Sequence, residues 1–139
     1  MPGYFSHHDY LQVIRIVEMR KCIEDLQIPC RWVPDMGYGY GFPLFNYYGV
    51  FPYYIGAIIS YLTGFISSAK VLFFIPLVLG GVSMYFLGKE ISNKQIGFVM
   101  GILYLFAPYR ALDSYVRGAI AESFALAIIP LVFYFSLRF

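Results

Sequence analysis

Asp9 follows two histidines and precedes a run of mixed apolar and charged residues, and a second ionisable set, Arg110, Asp113, Arg117 and Glu122, lies far down the chain. A carboxylate at a membrane boundary can take the proton of an attacking hydroxyl. Arginine or lysine can hold a phosphate while negative charge grows on it. His7, His8 and Asp9 make a poor zinc site, because consecutive residues project in different directions and the chain has two histidines in all. The plainer readings are that Asp9 caps a helix and that the second set is an ion-pair network at a membrane surface. Between the two sets stand Trp32, Tyr38, Tyr40, Phe42, Phe45, Tyr47 and Tyr48. Tyr38 and Tyr40 could give stacking faces to a sugar or an isoprenoid, and rings of this kind also anchor a chain at the headgroup level.

The solvent around these groups follows from composition. Of 139 residues, 60% are hydrophobic and 13% charged, well below the roughly 25% charged residues of a soluble domain. The chain therefore belongs in membrane lipid. A net charge of +2 with scattered basic residues is too small to argue for nucleic acid, and none is expected as a partner. The start, "MPGYFSHHDY", has neither the basic nor the apolar region of a cleavable signal. Cys22 and Cys30 fit neither a redox CxxC nor a zinc spacing and read chiefly as inert thiols, with a disulfide between them as the minor alternative.

Residues 1–66 read as an outer loop in three parts. An amphipathic helix is predicted over 8–26, with Leu11, Ile14, Val17, Ile23 and Leu26 as its apolar face and Gln12, Arg15, Glu18 and Glu24 as its polar one. An aromatic loop rich in glycine and proline follows over 27–49. The stretch 50–66 holds Pro52, Tyr53, Tyr54, Ser60, Tyr61 and Thr63, which suits an interfacial helix, with a short span as the alternative. Over 67–139, membrane helices are predicted at 71–87, 96–107 and 119–137, the middle one needing help from Pro108 to Leu112 to cross about 30 Å of hydrocarbon. Lys89 and Lys94 mark the hairpin between the first two as cytoplasmic. With 50–66 in the interface, residues 1–66 and 108–118 then share the outer face. The fold class is an all-α, multi-pass membrane protein.

The stretches "RWVPDMGYGYGFPLFNYYGVFPYY" and "LYLFAPYRALDSYVRGAIAES" carry a resemblance. They are similar to a prokaryotic membrane family labelled 6-pyruvoyl-tetrahydropterin synthase-related. The longer run from His8 to Gly64 resembles the first outer loop of the GT-C superfamily of polytopic glycosyltransferases, which use polyprenyl-phosphate-linked sugars. The pterin label implies a three-histidine zinc site, for which two histidines are too few. The GT-C resemblance implies that Asp9 is the catalytic acid of the first outer loop, with Tyr10 where many relatives have a second acid. It implies that Lys70 lies near the lipid phosphate and that Asp113 helps to hold a divalent metal. It also makes 50–66 a juxtamembrane helix and the chain a piece of a longer protein, since GT-C proteins carry one span before this loop and many after.

The expected function is thus transfer of a sugar from a polyprenyl-phosphate-linked donor to an acceptor at the outer face. Asp9 would be catalytic, and Lys70, Arg110, Arg117, Tyr38 and Tyr40 would bind substrate. The alternative is a non-enzymatic transporter or assembly subunit in which the same residues form an interfacial collar.

Overall fold

A computed structural model describes residues His8–Phe139. The described residues are helical and form no strand; a lone antiparallel bridge joins Val33 to Phe42. Six α-helices run in chain order: α1 (Gln12–Glu24), α2 (Phe51–Thr63), α3 (Phe65–Ile91), α4 (Lys94–Leu105), α5 (Pro108–Ala111) and α6 (Ile120–Arg138). A π-helical segment, Leu112–Arg117, joins α5 to Gly118. Two compact units divide the chain, one containing Asp9–Leu72 and the other Phe73–Phe139.

Helices α3 and α6 are long and apolar enough to cross a membrane, and α4 with Pro108–Arg117 makes a third span if that 40° bend is counted within one crossing. The protein is thus all-helical with two or three candidate spans. Helix α3 is longer than the 71–87 expected. Gly64, at φ 79°, ends α2 in a conformation that side chains resist, and no breaker follows it before Pro76. At 27 residues α3 is about 40 Å long, more than the hydrocarbon needs. Helix α2, at 13 residues, is too short to span.

In the first unit, α1 packs on α2. Gly56 lets the helices approach: a Cβ there would lie 2.7 Å from Leu72 Cδ1 and 3.1 Å from Ile16 Cγ1. Ser68 Oγ donates to Gly56 O at 2.5 Å and ties the start of α3 into the same packing. The two cysteines are not thiols. Cys22 and Cys30 form a disulfide with their Cα atoms 5.6 Å apart, because the turn after α1 returns the chain to the helix that it left. Spacing alone carries no sign of this closure.

The second unit contains a helical hairpin of α3 and α4. Asn93 caps α4, its side chain accepting from Ile96 N at 3.0 Å. Glycines thin the contact, as small residues do between membrane helices. A Cβ on Gly97 would lie 2.7 Å from Tyr85 O and 2.8 Å from Lys89 N, and one on Gly101 2.9 Å from Gly81 O.

Pro130 inside α6 removes the N–H that would bond Leu126 O. Tyr104 Oη donates to that carbonyl at 2.7 Å, and Ser83 Oγ donates to the next, Ala127 O, also at 2.7 Å. Within a bilayer no water could take their place. Tyr104→Phe should therefore lower stability by about 1–2 kcal/mol in detergent unfolding. In a Pro130→Ala background, where residue 130 regains its N–H, most of that loss should disappear. An equal loss in both backgrounds would mean that the hydroxyl does not serve the proline.

Candidate functional site

Helix α1 is folded with its polar side inward. Gln12, Arg15 and Glu18 are buried together with Ile16, Met19 and Cys22, whereas Ile14, expected on the apolar face, is 44% exposed. The expectation that Gln12, Arg15 and Glu18 face water is corrected here. They recur every three residues on the face that also carries Ile16, Met19 and Cys22, so burying that apolar row takes them inside as well.

Their burial is supported by a hydrogen-bond network around Asp9. Arg15 Nη1 donates to Asp9 Oδ2 at 2.6 Å, and Gln12 Nε2 donates to the same oxygen at 3.1 Å. Tyr53 Oη donates to Gln12 Oε1 at 2.7 Å and lies 3.4 Å from Arg15 Nη1. The Arg15 guanidinium stacks 4.0 Å above the ring of Tyr48. Burial works against the Arg15 charge, but the hydrogen bonds to Asp9 and Tyr53 outweigh it and hold the guanidinium above its usual range. Burial also pushes the Tyr53 hydroxyl up, so it serves as a neutral donor.

Asp9 is not a cap. Helix α1 starts only at Gln12, with Leu11 at the N-cap and no capping side chain. Asp9 sits before the helix, its side chain 27% exposed, with Oδ2 clamped and no hydrogen bond to Oδ1 among the described residues. Sequence reasoning missed Gln12, Arg15 and Tyr53 as its partners. The available signal was their spacing, since Gln12 and Arg15 stand three and six residues after Asp9 on one helical face.

Glu18 continues the inward row and is less well served. It is 3% exposed, and its Oε2 has no hydrogen-bond partner among the described residues. Burial pushes its carboxyl up, with Lys21 pulling weakly the other way. A carboxyl raised on folding contributes stability that is present below its ordinary value near 4.5 and lost as pH rises through the folded value. Glu18→Gln should therefore raise the melting temperature at neutral pH, and the gap from the parent should close as pH falls below about 4.5. A gap independent of pH would show that the carboxyl is not held in its neutral form by burial.

The aromatic loop is a defined turn. Tyr40 N donates to Gly37 O at 3.1 Å and Gly41 N to Met36 O at 2.9 Å, while Val33 and Phe42 exchange both backbone bonds at 2.9 Å. Gly37, Tyr38, Gly39 and Gly41 all have positive φ, and Tyr38 at 59° is a left-handed residue with a side chain. Tyr38 and Tyr40 stand at the tip, fully exposed. Lys70, near the start of α3, is exposed and makes no ion pair among the described residues.

The other expected residues lie in the second unit. Asp113 is completely buried; Arg117 Nη1 donates to its Oδ1 at 3.2 Å and Ser123 Oγ to its Oδ2 at 2.9 Å. Arg117 also pairs with Glu122 at 2.8 Å, and Tyr109 Oη donates to Glu122 Oε1. Arg110 belongs to neither pair. It is buried, donates from Nη2 to Pro76 O at 2.6 Å and lies 4.8 Å from the Tyr104 ring centroid, and its Nη1 has no acceptor among the described residues. A Cβ on Gly80 would overlap Arg110 Nη1, so that glycine makes room for the guanidinium. Among the described residues no three His, Cys, Asp or Glu side chains gather as metal ligands. His7 lies outside the described residues.

Residues 45–139, from the 3₁₀ turn Leu44–Asn46 through α6, match the 6-pyruvoyl-tetrahydropterin synthase related domain, a membrane protein family. The chain belongs to this family. No curated protein and no solved structure matches it. The matched segment covers α2 to α6 and thus Phe73–Phe139 of the second unit, including Arg110, Asp113 and Arg117. Asp9 and the Gly37–Gly41 turn precede it. The two histidines cannot make the three-histidine zinc site that the pterin label implies, so no step is assigned to such a metal.

Proposed function

We propose that this chain is part of an integral membrane glycosyltransferase, GT-C-like in fold, that moves a sugar from a polyprenyl-phosphate-linked donor to an acceptor hydroxyl at the outer face. The observation that carries the reading is the Asp9 carboxylate. One oxygen is fixed by Arg15 and Gln12, while the other has no hydrogen bond among the described residues and lies at a partly exposed position. Such a group is oriented before a substrate arrives, which is what a general base requires.

In the proposed step the acceptor oxygen attacks the anomeric carbon and its proton passes to Asp9 Oδ1. The bond from that carbon to the donor phosphate breaks, and the electron pair leaves with the phosphate. Tyr38 and Tyr40 offer their exposed rings to the sugar or isoprenoid. Lys70, exposed and without an ion pair among the described residues, is a cation available to the phosphate. The Cys22–Cys30 disulfide supports placing residues 1–66 on the outer side, because disulfides persist chiefly in oxidising compartments.

The competing reading is a transporter or assembly subunit with an interfacial collar. It is favoured by the exposed rings and by the ion pair, which would then be structural. Transfer assays on Asp9 variants in the full-length protein separate the two.

A further inference from the structure

The loop closed by the disulfide has an unusual tip. Leu26 is 84% exposed and Ile28 68%, although both are large aliphatic residues with no polar handle. Leu26 also takes a left-handed conformation, φ 57°, which a branched side chain adopts at a cost. Nothing inside the protein is gained in exchange, since its side chain packs on so little.

The backbone N–H groups of this tip are all used. Asp25 N donates to Lys21 O at 2.8 Å, Leu26 N to Ile23 O at 3.1 Å, Gln27 N to Cys22 O at 2.8 Å and Ile28 N to Leu26 O at 3.1 Å. Pro29 has no N–H, and Cys30 N donates to Tyr54 Oη at 2.9 Å. Every backbone N–H from Asp25 to Cys30 is thus used, so the tip can leave bulk water without stranding one of them. Directly beyond it stand Arg31, exposed and without an ion pair among the described residues, and Trp32, 47% exposed.

We propose that the Cys22–Cys30 loop is a bilayer-docking tip. Leu26 and Ile28 enter the boundary between headgroups and acyl chains, Trp32 rests at the headgroup level and Arg31 meets lipid phosphate. A sugar is a poor occupant for two aliphatic side chains, which offer neither a flat ring nor a hydrogen bond. Arginine and tryptophan beside an apolar tip are the side chains that suit the membrane interface. The lipid surface is also at hand, because the same compact unit contains the opening turns of α3, a helix able to cross the membrane. Asp25, exposed at the base of the loop, stays on the water side.

Trp32 is the only tryptophan, so its fluorescence reports on this site without labelling. The chain is reconstituted into phosphatidylcholine vesicles containing lipid brominated on the acyl chain near the headgroup. Trp32 emission should be quenched by the brominated lipid and protected from aqueous iodide. The paired change Leu26→Asn and Ile28→Ser keeps a residue tolerant of the left-handed backbone. It should reduce quenching by brominated lipid roughly twofold or more and admit iodide, with helix content unchanged. Free iodide quenching of the parent, or unchanged lipid quenching in the paired variant, overturns the proposal. Protection of Trp32 from both quenchers would assign the tip to a protein contact and overturn it as well. Should the paired variant not fold, the parent measurement decides.

Discussion

Replacing Asp9 with Asn and Arg15 with Leu together should lower sugar transfer from a polyprenyl-phosphate donor by about a hundredfold or more, the scale of losing a positioned general base. The pairing of substitutions follows from the geometry. Arg15 is 2% exposed and bonded to Asp9 at 2.6 Å, so Asp9→Asn alone leaves a buried guanidinium facing a neutral amide. That single change should cost about 2 kcal/mol of stability. Adding Arg15→Leu removes the charge, and an apolar replacement for a buried ion pair is often neutral or stabilising. Stability should therefore return in the double variant while transfer does not. Recovery of both would make Asp9 a structural partner of Arg15 and leave the interfacial collar as the better account.

Gly97→Leu should destabilise the second unit by about 3 kcal/mol or more, at the upper end of what overpacking costs. The Cβ alone would stand 2.7 Å from Tyr85 O and 2.8 Å from Lys89 N, both backbone atoms of α3 that cannot rotate away. The hairpin would have to open, and the adjoining contact of Gly88 with Gly97 would go with it. Ile96→Leu, one residue earlier on an exposed position, is the control and should change stability little. Thermal unfolding of the two variants in the same detergent makes the comparison. Equal midpoints for both would show that α3 and α4 do not meet at Gly97.

The membrane helices were legible because lipid demands long apolar runs and hydropathy registers them directly. Even the bent third segment was foreshadowed, since 96–107 is too short without the residues beyond Pro108. Helix α1 was misread for a physical reason. A polar residue was assumed to face water, but Gln12 and Arg15 satisfy each other's neighbourhood through Asp9 and Tyr53, and Tyr53 lies 38 residues from Arg15 along the chain. Pairing at that distance leaves no local trace. The disulfide was missed on similar grounds, because two cysteines declare no partner until the turn between them is built. At the candidate site, Asp9, Lys70, Tyr38 and Tyr40 could be named from their types and the resemblance. The clamp on Asp9 and the lack of an acid beside Arg110 needed coordinates.

The polar contacts among α3, α4, α5 and α6 share a direction in time. Pro76, Gly80 and Ser83 are synthesised before Arg110, and Ser83 and Tyr104 before Leu126 and Ala127. When the α5 segment leaves the ribosome its guanidinium already has a carbonyl and a gap at Gly80 to receive it. When α6 follows with the Leu126 carbonyl left open by Pro130, the Tyr104 hydroxyl that satisfies it has been made, as has the Ser83 hydroxyl that reaches Ala127 O. Synthesis from N- to C-terminus thus brings the Arg110 guanidinium and the Leu126 carbonyl out after the groups that satisfy them, so neither must wait in lipid for its partner to be made.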